Sequence, residues 1–176
     1  MQFTWVDYPS QYEAKLENWC DETVRNALDD ESIRKEHEWY LDSSDYTLNK
    51  NYFCKVVLDG KIVVALIMLS IYEDELKTYL TENVIFIDTF IINPALRLQG
   101  YGTKIIDEIM QQTDKIIPFS KNIIVAQIHK DNNNSKKLFK KLGFHFIYTD
   151  AEANDDWFDW ISPASASDRY LAWRDK

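Results

Sequence analysis

The sequence is short of the residues that staple, coordinate or grip nucleic acid. It has two cysteines, Cys20 and Cys54, at no metal-ligand spacing. No disulfide framework and no metal site are expected, and the cytoplasm is the expected compartment. Positive charge is scarce: 20 Lys and Arg face 29 Asp and Glu, a formal net charge of -9. That excludes nonspecific nucleic-acid binding, which needs a basic surface. No apolar run approaches the roughly 20 residues of a membrane helix. The longest, Ile62 to Ile71, has about the length of a strand. The start, Met1-Gln2-Phe3-Thr4-Trp5, lacks the basic and apolar stretches of a secretory signal. No membrane partner is expected.

What is present is unevenly charged. Arg97 to Lys141 holds nine basic and four acidic residues, a net of +5, which leaves -14 for the rest. The middle segment suits an anion and the remainder a cation, unless both are merely solvated surface. The length fits one domain, residues 1–176. Tyr12, Leu16 and Trp19 keep a helical spacing, as do Ile33, His37 and Tyr40, with Ser32 as a cap. Tyr52 to Leu58 and Lys61 to Ile71 flank Asp59-Gly60 and read as a β-hairpin. Asn83 to Ile92 reads as a buried strand. A helix over Gly102–Gln112 precedes a strand over Asn122–Ile128. A helix over Asn134–Leu142 closes on Gly143 and precedes a strand over Phe144–Thr149. Arg169 to Arg174 reads as a last strand. This is a mixed α/β chain.

Glycine is rare enough to be informative. Of four glycines, Gly60 makes the hairpin turn, Gly143 ends a helix, and two share Arg97-Leu98-Gln99-Gly100-Tyr101-Gly102-Thr103. That loop runs from a buried strand into a helix. Glycines there let the backbone approach a ligand closely, and the helix start offers N–H groups and a dipole favouring negative charge. A pyrophosphate suits the place; a plain strand-to-helix turn is the alternative. The third glycine of the dinucleotide fingerprint and the Gly-Lys-Ser/Thr of a triphosphate loop are both missing.

The neighbours of the loop narrow the choice. Ile87-Asp88-Thr89-Phe90-Ile91-Ile92-Asn93-Pro94 comes first, then Arg97-x-x-Gly100-x-Gly102. Asn132-x-x-Ser135-x-x-Leu138-Phe139-x-x-x-Gly143-Phe144 comes after. Together they resemble the GNAT family of N-acetyltransferases, clearly over Asn83 to Tyr148. The resemblance implies the acyl-CoA N-acyltransferase fold, a mixed, mainly antiparallel central sheet flanked by helices. It also implies acetyl-CoA as cofactor. Phe90, Ile91 and Ile92 take the place of the strand that binds the pantetheine arm. Leu98, Gln99, Gly100, Tyr101, Gly102 and Thr103, with Arg97 beside them, take the place of the pyrophosphate loop. Asn132 matches a residue contacting the arm, or caps its helix, with Ser135 and Phe139 further along. Many family members are dimers, which leaves a homodimer open here.

Direct acetyl transfer to an amine needs a proton acceptor, an oxyanion donor and an acid for the departing thiolate. Asp88 is the base candidate, because a carboxylate in an apolar strand is costly unless used or paired. The family's usual acid is a Tyr four residues before the helix-ending Gly; here that position is Phe139, without a hydroxyl. Tyr101, His129 and Tyr148 are the replacement candidates. The acceptor regions are acidic and aromatic: Glu36 and Trp39, Tyr72 and Glu73, and a run from Asp150 to Trp160 that includes Asp155 and Trp157. Carboxylates beside aromatic faces suit a small cationic amine, such as a polyamine or aminoglycoside-like molecule. The rival readings are a protein N-terminal or lysine acetyltransferase, a noncatalytic acetyl-CoA-binding module, and a nucleotide-binding regulator.

Overall fold

The computed structural model describes residues 2–9, 11–25, 32–42, 52–73, 83–118, 123–147 and 157–162. In chain order they form β1 (Thr4–Asp7), α1 (Glu13–Glu17), α2 (Glu22–Arg25), α3 (Ile33–Asp42), β2 (Tyr52–Asp59), β3 (Ile62–Glu73) and β4 (Asn83–Ile92). A 3-10 turn, Pro94–Leu96, precedes α4 (Tyr101–Ile116), β5 (Ile124–His129), α5 (Asn133–Lys141), β6 (His145–Ile147) and β7 (Trp157–Ile161). The strands are hydrogen-bonded in the order β1-β2-β3-β4-β5-β7-β6. β4 and β5 run parallel. The pairs β1–β2, β2–β3, β5–β7 and β6–β7 are antiparallel. The sheet is therefore mixed and mostly antiparallel, as the resemblance implied. Among the described residues no helix is long and apolar enough to cross a membrane.

The chain divides into two compact units, Met1–Ile71 with Asp88–Ile105, and Tyr72–Ile87 with Ile106–Lys176. In the first, β3 is wholly buried from Val63 to Ser70, as expected of an apolar run covered on both faces. Each Leu, Ile or Met buried this way stabilises by roughly 1.5–3 kcal/mol relative to exposure. Leu16, Trp19, Val24 and Ile33 from the helices join Val56, Leu66, Met68 and Ile91 from the strands in one core. Ser32 caps α3 as expected, its Oγ accepting from the Lys35 amide at 3.2 Å.

The β2–β3 hairpin carries a register shift between Val57 and Leu58, which pair with Ala65 and Val63 and leave Val64 as an extra residue. Such a bulge frees carbonyls from the ladder. Asn93 takes both: its amide donates to the Val64 carbonyl at 2.9 Å, and its Nδ2 donates to the Val63 carbonyl at 3.1 Å. The end of β4 is thereby pinned where the glycine loop begins.

In the second unit, Val84, Val125 and Ile161 form a core with Phe86 and Ile123 against it. Ser162 closes the β5 edge twice, its amide donating to the Ile124 carbonyl at 2.8 Å and its Oγ accepting the Ile124 amide at 3.1 Å. α4 extends beyond the expected Gln112 but bends there, with φ -139° and ψ 36°. The cause is adjacent: the buried Thr113 hydroxyl donates back to the Ile109 carbonyl at 2.6 Å, a local bond that competes with the helical ladder.

Two strands escaped the sequence reading. β1, four residues long, sits where only helices were expected, too short for any period to register. β7 lies within the stretch read as an acidic run; its pairing with β5 over five positions and β6 over three decides its conformation. The strand expected at Arg169 to Arg174 lies outside the described residues.

Candidate active site

The loop after β4 is built by a chain of local constraints. Asn93 turns the backbone, its Oδ1 accepting from the Ala95 amide at 3.1 Å, and Pro94 opens the 3-10 turn. Arg97 is extended, at φ -59° and ψ 153°. Leu98 then adopts φ 62° and Gly100 φ 85°. Left-handed φ is costly for a side-chain-bearing residue, yet Leu98 holds it while 99% exposed, so no packing of its own side chain compensates. A Cβ placed on Gly100 would meet nothing within 4 Å, so the chain borders open space at that residue. α4 begins at Tyr101, and the first bond back to the loop runs from the Lys104 amide to the Gly100 carbonyl at 3.2 Å. The amides of Tyr101, Gly102 and Thr103 thus fall in the first turn, where no intrahelical acceptor exists. No acidic side chain occupies that turn. The strained, open entrance of a 16-residue helix fits a phosphate ligand.

Other side chains of the loop are tethered. Arg97 pairs with Asp21, Nη1 to Oδ2 at 2.9 Å and Nη2 to Oδ1 at 3.5 Å. The same Asp21 accepts the Val24 amide at 2.9 Å, tying the start of α2 to the loop. Gln99 Nε2 donates to the Ala95 carbonyl at 3.1 Å. Tyr101, a candidate acid, donates its hydroxyl to Asp59 Oδ2 at 3.0 Å. That bond, with a smaller effect of desolvation, raises its pKa and strengthens its hold on the proton.

Asp88 is the chemically distinctive group. Ser70 donates its hydroxyl to Asp88 Oδ1 at 2.9 Å. Oδ2 is buried and, among the described residues, has no hydrogen-bond partner. Desolvation pushes the carboxyl pKa up to about 7; the Ser70 bond opposes this and the Glu36 carboxylate adds to it. A base poised near neutrality suits proton transfer at pH 7. Two and four residues downstream, Phe90 and Ile92 are half-buried and flank the buried Ile91.

The acceptor-side expectations divide. On α3, Glu36 is buried at 5% exposure and acts electrostatically on Asp88, whereas Trp39 is half exposed. Beside Glu36, buried His37 meets the Tyr52 hydroxyl through Nδ1 at 3.1 Å and packs edge-on against Tyr8. Burial lowers the His37 pKa and favours the neutral ring. Tyr72 and Glu73 end β3 and Trp157 opens β7, but their side chains fall outside the description. Tyr148 and Asp155 lie outside the described residues. Sequence reasoning missed Ser70, Asp21, Asp59 and the pinning role of Asn93. Ser70 was findable: it is the one polar residue between Ile62 and Ile71, the same signal that exposed Asp88.

In the second unit, Asn132 is the cap of α5, its Oδ1 accepting from the Ser135 amide at 3.1 Å. His129 is held locally, Nδ1 accepting from the Asp131 amide at 3.2 Å. Phe139 is buried, with its ring edge-on to Phe144 at 4.9 Å. The amide of Phe144 donates to the Phe139 carbonyl at 3.0 Å and that of Gly143 to the Lys140 carbonyl at 3.1 Å. This is a Schellman cap, and the Phe139–Phe144 contact is its apolar component. Among the described residues no group of three or more His, Cys, Asp or Glu side chains is placed to hold a metal.

Known proteins share this architecture. One relative, an uncharacterized N-acetyltransferase, YfmK, from Bacillus subtilis (strain 168), is 29% identical over 146 residues, 81% of this chain and 84% of the relative. The aminoglycoside N(6')acetyltransferase of Legionella pneumophila superposes with a TM-score of 0.67 at 14% identity, covering 92% of this chain and 93% of its own. A spermidine N-acetyltransferase chimera, of SpeG from Vibrio cholerae and hSSAT, gives 0.64 at 15% identity, covering 97% of this chain and 99% of its own. Residues 12–144 match the family model described as Acetyltransferase (GNAT) family. The chain belongs to the GNAT family of acetyltransferases, whose members use acetyl-CoA as co-substrate.

Proposed function

We propose that this protein transfers the acetyl group of acetyl-CoA to a primary amine of a small cationic acceptor, by direct attack in a ternary complex. The observation that carries the reading is the loop from Arg97 to Thr103. Its left-handed Leu98 and Gly100 present main-chain amides at an unobstructed helix entrance without competing acid. Those amides bind the pyrophosphate of the donor, and the end of β4, Phe90 to Ile92, lies along its pantetheine arm. Asn132 and Ser135 are proposed contacts on the strength of their motif alone.

In the reaction, the acceptor enters as an ammonium, because an alkylamine of pKa near 10 is almost wholly protonated at pH 7. Asp88 Oδ2 takes one proton, directly or through water. The neutral amine attacks the thioester carbon, and the C–N bond forms as the carbonyl oxygen gains charge. Collapse breaks the C–S bond and the electron pair leaves on sulfur. The second amine proton goes to the thiolate and the first leaves Asp88 for solvent, so the products are the acetamide, CoA thiol and one released proton.

The acceptor class rests on charge. Outside Arg97–Lys141 the chain carries a net -14, and aminoglycoside and spermidine acetyltransferases share the fold. Glu36, Trp39, Tyr72, Glu73, Asp155 and Trp157 are the proposed acceptor residues. The test has two steps. Calorimetry with acetyl-CoA is expected to show binding; a flat titration removes the whole reading. Free-thiol detection across polyamines and aminoglycosides is then expected to show turnover, whereas release only with neutral or acidic acceptors removes the acceptor class. A second reading, a noncatalytic acetyl-CoA-binding module, is favoured by the packing of Phe139 into a helix cap. Binding without thiol release from any amine would establish it.

A further inference from the structure

Two largely apolar strands, β3 and β4, bring a hydroxyl and a carboxyl together in the core. Ser70, in β3, has no solvent exposure and spends its hydroxyl on Asp88 Oδ1 at 2.9 Å. Asp88, in β4, is left with one satisfied oxygen and one buried oxygen that has no hydrogen-bond partner among the described residues. A hydroxyl placed symmetrically, or a second donor, would make the two oxygens equivalent. Here they differ: Oδ1 is fixed by a donor, and Oδ2 keeps its full capacity to accept a proton. Among the described residues, the groups acting on this carboxyl are Ser70 from β3, Glu36 from α3 and the backbone of Asp88 itself. Ser70 and Glu36 act in opposite senses. A hydroxyl donor stabilises the ionised form, whereas a second carboxylate destabilises it.

We propose that Ser70 is a positioning residue for Asp88, fixing Oδ1 so that Oδ2 is the oxygen that receives the acceptor amine's proton, with the Glu36 carboxylate as its electrostatic counterweight. The inference rests on the reading of Asp88 as the base. Binding and release are balanced through one atom. The proton arrives on Oδ2 as the amine is neutralised and leaves to solvent before the next turnover, with no change at Oδ1. Ser70 therefore touches neither substrate nor donor and acts through the carboxyl alone. Glu36 keeps the site from becoming a permanently ionised, weakly basic carboxylate.

The experiment compares the wild type with Ser70→Ala and Glu36→Gln by two readouts. One is the carbon-13 titration of the Asp88 carboxyl in aspartate-labelled protein, which needs no turnover. The other is the acid limb of the pH profile of kcat. Ser70→Ala is expected to move both midpoints to higher pH and Glu36→Gln to lower pH, each by on the order of one pH unit. Restoring a hydroxyl with Ser70→Thr is expected to return the midpoint toward the wild type. Equal or unmoved midpoints in both variants overturn the proposal. So does a carboxyl titration that moves while the kcat limb stays fixed, because the proton held by Asp88 would then not govern turnover. If Ser70→Ala does not fold, the opposite shift in Glu36→Gln alone decides. Absence of acetyl-CoA binding would defeat the enzymatic reading while leaving the carboxyl titration measurable, so the two failures are distinguishable.

Discussion

Two asparagine-led turns open two helices in this molecule, and they are built to opposite ends. Asn132 caps α5 through Ser135, and the helix closes on a Schellman cap with Phe139 against Phe144. Every one of these polar groups has a local partner. Asn93 likewise caps the turn ahead of α4, but the loop between that turn and the helix is left incomplete. Leu98 is left-handed and exposed, Gly100 borders open space, and upstream Asp88 keeps one buried oxygen without a hydrogen-bond partner among the described residues. A helix start is therefore not a ligand site by virtue of its dipole. The incomplete stretch costs folding free energy, and such costs persist where a ligand or a reaction uses them.

The largest effect that would break this comparison lies at Asp88. Asp88→Asn is expected to lower kcat by about 10²-fold or more, the range for loss of a general base. It is also expected to stabilise the fold at alkaline pH. The folded pKa, pushed up to about 7 by desolvation, exceeds that of an unfolded Asp. The native state then binds more protons between about pH 4 and 7, so wild-type stability falls as pH rises through that window. At three pH units and 1.36 kcal/mol each, the penalty removed by Asn reaches about 4 kcal/mol at pH 8 and vanishes below pH 4. Thermal melts of both proteins at pH 4 and 8 check the sign. A variant that is less stable than wild type at pH 8 would show that Asp88 is a structural ion and not a stored one.

Next in size is a matched pair. Gly100 and Gly143 hold nearly the same left-handed φ, 85° and 81°, one in the open loop and one in the sealed cap. Alanine at either position is expected to cost about 1–2 kcal/mol of stability, because the backbone penalty is the same. Only Gly100→Ala is expected to weaken acetyl-CoA binding, by about tenfold, since it alone shapes the amide cradle. Calorimetry on both proteins reads the difference. Equal affinities would erase the distinction between the two turns.

The sequence made one of these regions far more legible than the other. β4 matched its expected bounds because a β-branched run between polar ends leaves few options. Gly100 and Gly102 flagged the loop because the chain has only four glycines. The left-handed Leu98 was not legible, since nothing in its identity marks φ above zero. Ser70 is marked as the one polar residue of its run, but its role, like that of Asp21, depends on a partner distant in sequence: Asp88 lies 18 residues away from Ser70, and Arg97 76 from Asp21. β1 and β7 depend on neighbours for their conformation, and local pattern says little about such strands. Phe139 could be read as a lost hydroxyl but not as a cap contact, because that role requires knowing where Phe144 returns.

The smallest effect is the sharpest probe of strain. Leu98→Gly removes an exposed side chain and leaves φ 62° in a residue that adopts it freely. Relief of a left-handed penalty of about 1–2 kcal/mol is offset by about 0.5–1 kcal/mol of added chain entropy in the unfolded state. The net gain is a few tenths of a kcal/mol to about 1, or roughly 1–3 °C in Tm for a chain of this size. Acetyl-CoA affinity is expected to change less than threefold, because the amides already point as the glycine would place them. A tenfold loss of affinity at unchanged Tm would mean that the leucine side chain itself grips the ligand. The loop would then resemble α5, with its energy held in a contact and not in a conformation.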